Sequence, residues 1–316
     1  MPNILHASLE LATALISAMS KSEREHEETL TGTLLGSLLS SNTLLSLVSA
    51  HLDIMPTKCW WGSYSKYQSK EQDETEAGSG ADFALLTLLE SGGARLAIFQ
   101  AKRGELKDGG WVFDANRVPQ KRKKPGAKDR RSQMIVLTET AKRLATLAPL
   151  TIDEASQLLP AAPSEPTPQE LAQTDLSEFD WIHYLIYTSG GAESIALRHL
   201  SEAYLKEVGG QRSPTTVHLD GRIVPFVKVV SNGCGIEGTH WLNFKDAKTA
   251  IMALPALLPL VPVVAGDSTG SHGPMLEAAL GLAPLSLDLS GGEVAALIAA
   301  LNAAPGEPEW IPRTPN

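Results

Sequence analysis

Two apolar runs of strand length, joined by a glycine-containing turn, place the strongest constraint on how this chain can fold. The runs are residues 81–89 (ADFALLTLL) and 95–100 (RLAIFQ), and residues 91–94 (SGGA) lie between them. Each run is apolar on both faces, which is typical of central strands covered on two sides rather than of an edge pair. A short glycine-rich segment between two such runs indicates a β-hairpin. The sequence therefore predicts a hairpin in the middle of a sheet.

Three polar residues lie at one end of this predicted hairpin. With the turn centred on Gly92-Gly93, Asp82 lies opposite about residue 102. Gln100 and Lys102 are two positions apart, so their side chains project from the same face of the strand. A carboxylate, a carboxamide and an ammonium group at the end of an apolar hairpin are unfavourable unless they bind something. We expect a ligand site at this end.

The order of aspartate, strand hairpin and acid-x-Lys resembles the signature of the restriction-endonuclease-like PD-(D/E)xK nucleases. Residues 80–83 (GADF) followed by residues 99–103 (FQAKR) are similar to the Gln-x-Lys variant of Mrr-like restriction enzymes. Ala81 stands where the signature has proline, and Gln100 stands where it has a second carboxylate. An amide oxygen can ligate Mg²⁺ but brings no charge. The resemblance implies an α/β fold with a restriction-endonuclease-like core, a central mixed sheet flanked by helices, followed by C-terminal elaborations.

The same resemblance implies the chemistry of the site. Asp82 and Gln100 would hold Mg²⁺ or Mn²⁺, and Lys102 would orient the attacking water or offset charge on the phosphate. The substrate would be DNA, and the protein would be a bacterial defence effector against phage or foreign DNA. The resemblance leaves open whether a partner protein of the defence system takes part. Homodimerisation would supply two sites for cutting both strands.

Further carboxylates precede the hairpin. Nucleases of the resembled family often add a glutamate from the preceding helix, and the sequence predicts a helix over residues 23–39. Glu27 falls near the middle of its apolar stripe and Glu28 at its edge, so both are candidates. Alternatively, both lie exposed in a first turn that the helix dipole favours. In the acidic loop 68–80, Glu76 is another candidate metal ligand.

The charge of the chain is unevenly distributed. The net charge of −9 by itself argues against nucleic-acid binding, but residues 102–131 hold 11 of the 27 basic residues and four acids. That segment is therefore +7 and the rest of the chain is −16. A local basic patch is what a phosphate-binding face requires, although a charge run can also be a solvated loop or a nuclear signal. The candidate DNA-binding residues are Arg103, Lys107, Lys121, Arg122, Lys123, Lys124, Arg130 and Arg131.

The remaining pattern predicts a mixed α/β core with elaborations. Residues 181–188 read as a further strand and 194–208 as a helix. Strands at 215–219 and 222–230 flank Asp220-Gly221, which indicates a second hairpin. Residues 148–175 are rich in proline and predict a surface excursion or linker. We expect a nuclease-like domain over residues 1–260 and a helical appendage over 261–316.

Two cysteines far apart in the sequence, Cys59 and Cys234, make a disulfide framework or a zinc site unexpected and suggest a reducing compartment. The N-terminus lacks a basic leader region, and the apolar stretch 250–265 is broken by prolines. We therefore expect a cytoplasmic protein without a membrane span.

Two other functions remain open on the sequence. Gln100 could mark a catalytically degenerate site, which would leave a nucleic-acid-binding subunit of a defence or repair complex. Alternatively, the chain could be a repair or junction-resolving nuclease, which would prefer branched DNA to linear duplex.

Overall fold

The computed structural model describes residues 4–21, 25–52, 58–61, 81–115, 132–159, 166–210, 215–235, 238–257, 261–267 and 271–280, with four single positions between 292 and 299. Within these residues the chain forms a central mixed sheet of eight strands and a separate sheet of three strands. Helices cover both faces of the central sheet. The predicted α/β class with a central mixed sheet is confirmed.

The helices of this part of the chain are α1 (Ile4–Ser20), α2 (Glu27–Leu52), α3 (Gln133–Leu147), α4 (Ile152–Leu158), α5 (Pro168–Ala172), α6 (Ser201–Val208), α7 (Phe226–Cys234), α8 (Ala247–Leu257) and α9 (Gly273–Leu280). The strands are β1 (Lys58–Trp61), β2 (Phe83–Leu88), β3 (Ala94–Arg103), β4 (Glu105–Lys107), β5 (Gly110–Asp114), β6 (Ile182–Thr188), β7 (Gly191–Ala196), β8 (Thr216–His218), β9 (Val224–Pro225), β10 (Leu242–Phe244) and β11 (Val263–Asp267). Among the helices described, none combines the length and the apolar character that a membrane span needs.

Strands β2, β3 and β6 lie in the middle of the central sheet. The strand order is β1-β11-β2-β3-β6-β7-β9, and β10 pairs with the first residues of β3. The predicted hairpin is the antiparallel pair β2–β3, whereas β3 and β6 run parallel. All six residues of β2 are buried, as expected for a strand that is covered on both faces.

Alternate residues of the central strands face two separate apolar cores. Phe83 and Leu85 of β2 pack with α1, α2 and α7, while Ala84, Leu86 and Leu88 pack with α3, α8 and α9. This alternation follows from the two-residue period of a strand. Full burial of each large apolar side chain contributes roughly 2 kcal/mol, so the two cores together hold the hairpin at the centre.

The register of the hairpin differs from the predicted one. Phe83 pairs with Phe99, so Asp82 lies opposite Gln100 rather than opposite residue 102. In the observed register the Asp82 carboxylate lies beside the Gln100 carboxamide, and Lys102 lies two residues further along β3.

The turn explains this difference. Because Phe83 pairs with Phe99, the midpoint of the turn is Ser91, and not the predicted Gly92-Gly93 pair. Gly92 takes a positive φ of 86°, which glycine adopts without strain. Gly93 instead lies against β10, since a Cβ atom there would be 2.7 Å from the Phe244 carbonyl oxygen.

Two segments differ from the predicted secondary structure, one at its start and one over most of its length. Residues 194–208 were expected to be one helix; residues 201–208 do form α6, but residues 194–196 belong to β7, which pairs antiparallel with β6. Residues 222–230 were expected to be a strand, but most of them lie in α7. The hairpin expected around Asp220-Gly221 is absent, because β8 pairs with β5 and β9 pairs with β7. Strand pairing at residues 194–196 and apolar packing at residues 226–230 override local propensity.

The domain prediction also needs correction, whereas the largely exposed helices described within residues 148–175 agree with the predicted surface excursion. Residues 148–175 contain α4 and α5, and capping boxes start these helices at Thr151 and Thr167. The predicted appendage 261–316 begins with β11, which lies between β1 and β2 in the central sheet. A boundary at residue 260 would therefore cut a strand out of this sheet.

Candidate active site

Strand β3 continues past the start of β2. Their ladder ends at the pair Phe83–Phe99, whereas β3 runs on to Arg103. Backbone N–H groups two residues apart on a strand point to the same edge. Those of Ala101 and Arg103 therefore face the side on which β2 has ended. We call residues 100–103 the polar end of β3.

Two carboxylates accept these N–H groups. Asp82 Oδ2 accepts from the Ala101 N–H at 2.7 Å, and Glu27 Oε2 accepts from the Arg103 N–H at 3.2 Å. Hydrogen bonds to an ionised acceptor are stronger than neutral ones. Since the two donors lie roughly 7 Å apart along the strand, the backbone holds the two acids side by side.

Gln100 and Lys102 project from the same face of β3, and both are buried, with 2% and 8% of their surface exposed. Gln100 Nε2 donates to Asp82 Oδ2 at 2.5 Å. Lys102 Nζ lies 3.8 Å from Glu27 Oε1. The predicted carboxylate, carboxamide and ammonium group thus meet at the polar end of β3, joined by one glutamate of α2.

The structure distinguishes the two glutamates that the sequence left open. Helix α2 begins at Glu27 and not at residue 23. The Glu27 side chain is 30% exposed and reaches the polar end of β3, whereas Glu28 is exposed. Leu30, three residues after Glu27, is fully buried against the sheet. Of the two, Glu27 is therefore the residue that packing directs to the site.

The hydrogen bonds of Gln100 indicate whether these side chains fit a metal ion. Because an ionised carboxylate only accepts hydrogen bonds, the amide must present Nε2 to Asp82. Its Oε1 atom is then buried, with no hydrogen-bond partner in the part of the chain that the structure describes. A buried acceptor without a partner costs about 1–3 kcal/mol. Rotation of the amide group would turn this oxygen towards Asp82, where an oxygen-seeking cation would satisfy it.

The number of carboxylates also bears on this test. No group of three or more His, Cys, Asp or Glu side chains that could hold a metal ion occurs among the described residues. Mg²⁺ commonly keeps several waters and takes one or two protein carboxylates together with substrate phosphates. Asp82, Glu27 and the Gln100 oxygen therefore fit Mg²⁺ or Mn²⁺ better than a metal that needs a closed protein cage.

Two tyrosines of β6 lie beside these charged groups. Burial raises the pKa of Tyr187, and the charges of Asp82 and Glu27 raise it further against the opposing effect of a Thr31 hydrogen bond. Burial likewise raises the pKa of Tyr184, which is the register partner of Gln100. Both hydroxyls therefore stay protonated at neutral pH. Sequence reasoning missed Thr31 and Tyr187, although the spacing of four from Glu27 places Thr31 on the same helix face.

The predicted DNA-binding residues are described only in part. The Arg103 guanidinium donates through Nη1 to the Glu25 carbonyl at 2.6 Å. Lys107 is 54% exposed and pairs with Glu105 at 2.9 Å. The other candidates lie outside the described residues, namely Lys121, Arg122, Lys123, Lys124, Arg130 and Arg131. The candidate ligand Glu76 also lies outside them.

Comparison with known proteins finds no matching protein family, no matching curated protein and no matching solved structure. The fold and the site thus define the class only as a mixed α/β protein with a polar cluster at the end of a central strand.

Proposed function

We propose that the protein is a metal-dependent DNA endonuclease of the restriction-endonuclease-like class, acting in bacterial defence. The observation that carries this proposal is the meeting of Asp82, Gln100, Lys102 and Glu27 at the polar end of β3, where the buried Gln100 Oε1 has no partner among the described residues. The central mixed sheet, and a helix before the hairpin whose glutamate reaches the site, further support this class.

Each side chain has a distinct role in this proposal. Asp82, Glu27 and the Gln100 oxygen hold the cation, and the Ala101 N–H orients the Asp82 carboxylate. When bound, the cation polarises the scissile phosphate and lowers the pKa of an attacking water. Lys102 is nearly buried, so its ammonium group acts at low dielectric on the charge that develops on the phosphate.

The basic segment 103–131 supplies affinity for the substrate. Lysine and arginine contacts to phosphates carry no sequence information, so binding should be general and sensitive to salt. This arrangement concentrates DNA next to the polar end of β3, because the segment starts where that end stops.

Cleavage of supercoiled and linear DNA in Mg²⁺, Mn²⁺ or EDTA tests the proposal. We expect metal-dependent cleavage that is lost in Asp82→Ala and in Lys102→Ala, while both variants keep their fold and their DNA binding. Asp153→Asn, an exposed acid in α4, is a matched control that should cleave normally. Undiminished cleavage in both site variants would contradict the proposal, and a preference for branched DNA would indicate the repair nuclease instead.

A catalytically degenerate, nucleic-acid-binding subunit is the second candidate. The observation that favours it is that Gln100 is neutral and that Glu27 already contacts Lys102 and the Arg103 N–H. Salt-sensitive DNA binding without metal uptake and without cleavage would support this alternative over the nuclease.

A further inference from the structure

A buried hydrogen bond between α2 and the central sheet lies close to Glu27. Thr31 is one helical turn after Glu27, and its Oγ1 lies 3.0 Å from the Tyr187 hydroxyl on β6. Tyr187 is 0% exposed and Thr31 is 9% exposed. Leu30 and Leu34 flank Thr31 in the apolar core on this face. A directional polar contact thus lies within an apolar helix–sheet interface.

Tyr187 is also tied to the polar end of β3 through the backbone. It is the register partner of Arg103 in the parallel pair β3–β6, and its carbonyl accepts the Gly104 N–H at 2.9 Å. The Arg103 N–H in turn donates to Glu27 Oε2 at 3.2 Å. One turn of α2, the Thr31–Tyr187 bond and the paired strands therefore form a closed ring of contacts that begins and ends at Glu27.

This ring of contacts fixes the position of α2 along the sheet, which apolar packing alone does not fix. Hydrophobic burial is non-directional, and a stripe of leucines can repack after a small slide or rotation of its helix. A single buried polar contact can fix the register of such an interface. A slide by one residue moves the helix by about 1.5 Å, which is enough to break the bond from Arg103 to Glu27.

We propose that Tyr187 and Thr31 are positioning residues that hold Glu27 at the polar end of β3. The assignment rests on the function proposed above, in which Glu27 faces the cation. Neither hydroxyl touches the reacting atoms. Both act through the placement of one carboxylate.

Four variants separate positioning from general stability. Tyr187→Phe and Thr31→Val each remove one hydroxyl of the pair, whereas Thr31→Ser retains it. Tyr204→Phe is the matched control, because the buried Tyr204 hydroxyl donates to the Leu171 carbonyl at 2.9 Å and has no part in the ring.

Two readouts are measured on the full chain, namely hydrogen exchange of the Arg103 amide by NMR and Mn²⁺ affinity by calorimetry without DNA. Tyr187→Phe and Thr31→Val should speed exchange of that amide relative to Tyr204→Phe. They should also weaken Mn²⁺ binding by about tenfold, as removal of an outer-shell partner commonly does. Thr31→Ser should restore both values towards those of the wild-type protein.

Equal Arg103 exchange in Tyr187→Phe, Thr31→Val and Tyr204→Phe would overturn the proposal, and so would unchanged Mn²⁺ affinity in a wild type that binds Mn²⁺. If the wild-type protein takes up no Mn²⁺, the proposed function fails. The exchange rates then still decide whether the two hydroxyls position Glu27.

Discussion

Gln100 is the side chain that contacts the Asp82 carboxylate most closely on β3. Its Nε2 donates to the Asp82 carboxylate at 2.5 Å, and its own oxygen is left buried. A carboxamide can reverse this arrangement by rotating its terminal group, which turns a donor into an acceptor. The same side chain can thus present either an N–H donor or an oxygen towards Asp82.

Gln100→Glu should make the fold depend on a cation. The new carboxylate would face Asp82 across a gap that now holds a hydrogen bond of 2.5 Å. Two close carboxylates raise the pKa of the pair, so the repulsion is greatest at high pH and is relieved as pH falls. We expect a loss of about 2 kcal/mol in the free energy of unfolding at pH 8 in EDTA, recovered by Mg²⁺ or at pH 5.

Chemical denaturation with and without Mg²⁺ measures this effect. Gln100→Met is the matched control, because it fills a similar volume without a charge. If Gln100→Glu were as stable as Gln100→Met in EDTA at both pH values, the two side chains would not be in contact.

His183 of β6 lies next to Phe99 of β3, and the two rings are stacked with centroids 5.3 Å apart. Its Nε2 lies 3.0 Å from the His240 carbonyl, which can only accept, so Nε2 carries the proton. Nδ1 therefore accepts from the Ser194 hydroxyl, also at 3.0 Å. Burial lowers the pKa of His183 to about 4, so this neutral tautomer persists at physiological pH.

Because of His183, the free energy of unfolding should decrease as pH falls. In the unfolded chain histidine titrates near 6.5, while the folded pKa is about 4, so only the unfolded state takes up the proton between these values. The folded protein should lose about 3 kcal/mol of stability from this residue as pH falls from above 6.5 to 4. Denaturant titrations of wild type and His183→Gln at pH 7.5 and 4.5 measure the difference. An equally steep loss of stability in both proteins would contradict this assignment.

At the scale of elements, Arg95 links β3 to α7. Its Nη1 donates to the Gly233 carbonyl at 3.1 Å and to the Gly235 carbonyl, and its Nε donates to Asn243 Oδ1 at 3.2 Å. A cation at the C-terminal end of a helix also interacts favourably with the helix dipole. Arg95 therefore fixes the end of α7 and the middle of β10 against the strand that carries the site.

Arg95→Met should destabilise the protein by about 3 kcal/mol, because it leaves several carbonyls without their charged donor. Arg95→Lys should recover part of the loss, since lysine keeps the charge but lacks the planar fork. Thermal and denaturant unfolding measure both variants. Wild-type stability in Arg95→Met would show that these hydrogen bonds contribute little.

Elements with a strong local pattern were predictable from the sequence. The hairpin β2–β3 and the strand β6 follow from continuous apolar runs, which only a doubly covered strand can bury. The hairpin register was wrong because the contact of Gly93 with β10 moves the turn, and β10 is about 150 residues away in the sequence. Residues 226–230 (FVKVV) have strand propensity but form part of α7, because their apolar side chains pack on the face that α1 and α2 share.

The sequence predicted those parts of the candidate site that depend only on the spacing of residues along a strand or hairpin. Gln100 and Lys102 share a face because strands have a period of two, and Asp82 follows from the hairpin. The choice of Glu27 over Glu28 needed the true start of α2. The Thr31–Tyr187 contact joins residues 156 positions apart, so no local pattern could have indicated it.

At the scale of the whole molecule, the chain combines an acidic body with a basic segment that begins at the polar end of β3. The segment 102–131 is +7 and the rest of the chain is −16. In the proposed function, DNA binding would depend on this segment rather than on the average charge.

Removal of the cluster Lys121, Arg122, Lys123 and Lys124, by substitution with glutamine, should weaken DNA binding uniformly across sequences. It should also reduce the slope of log affinity against log salt by up to about four, because each lost phosphate contact removes about one released counterion. Fluorescence anisotropy measures this slope. The salt concentration is varied between roughly 50 and 200 mM, because DNA affinity changes strongly over that range. The control removes the same number of charges at Lys206, Lys228, Lys245 and Lys248. An unchanged slope in the cluster variant would exclude this segment as the DNA contact.

Metal binding at the polar end of β3 is the central claim, and a calorimetric titration of Mn²⁺ into the metal-free protein tests it most directly. The titration needs neither DNA nor a partner protein, so this measurement does not depend on cleavage. We predict saturable binding in the wild-type protein that is lost in Asp82→Asn and retained in Asp153→Asn. No uptake by the wild-type protein, or equal uptake in Asp82→Asn, would contradict the assignment of this site as a metal-dependent nuclease centre.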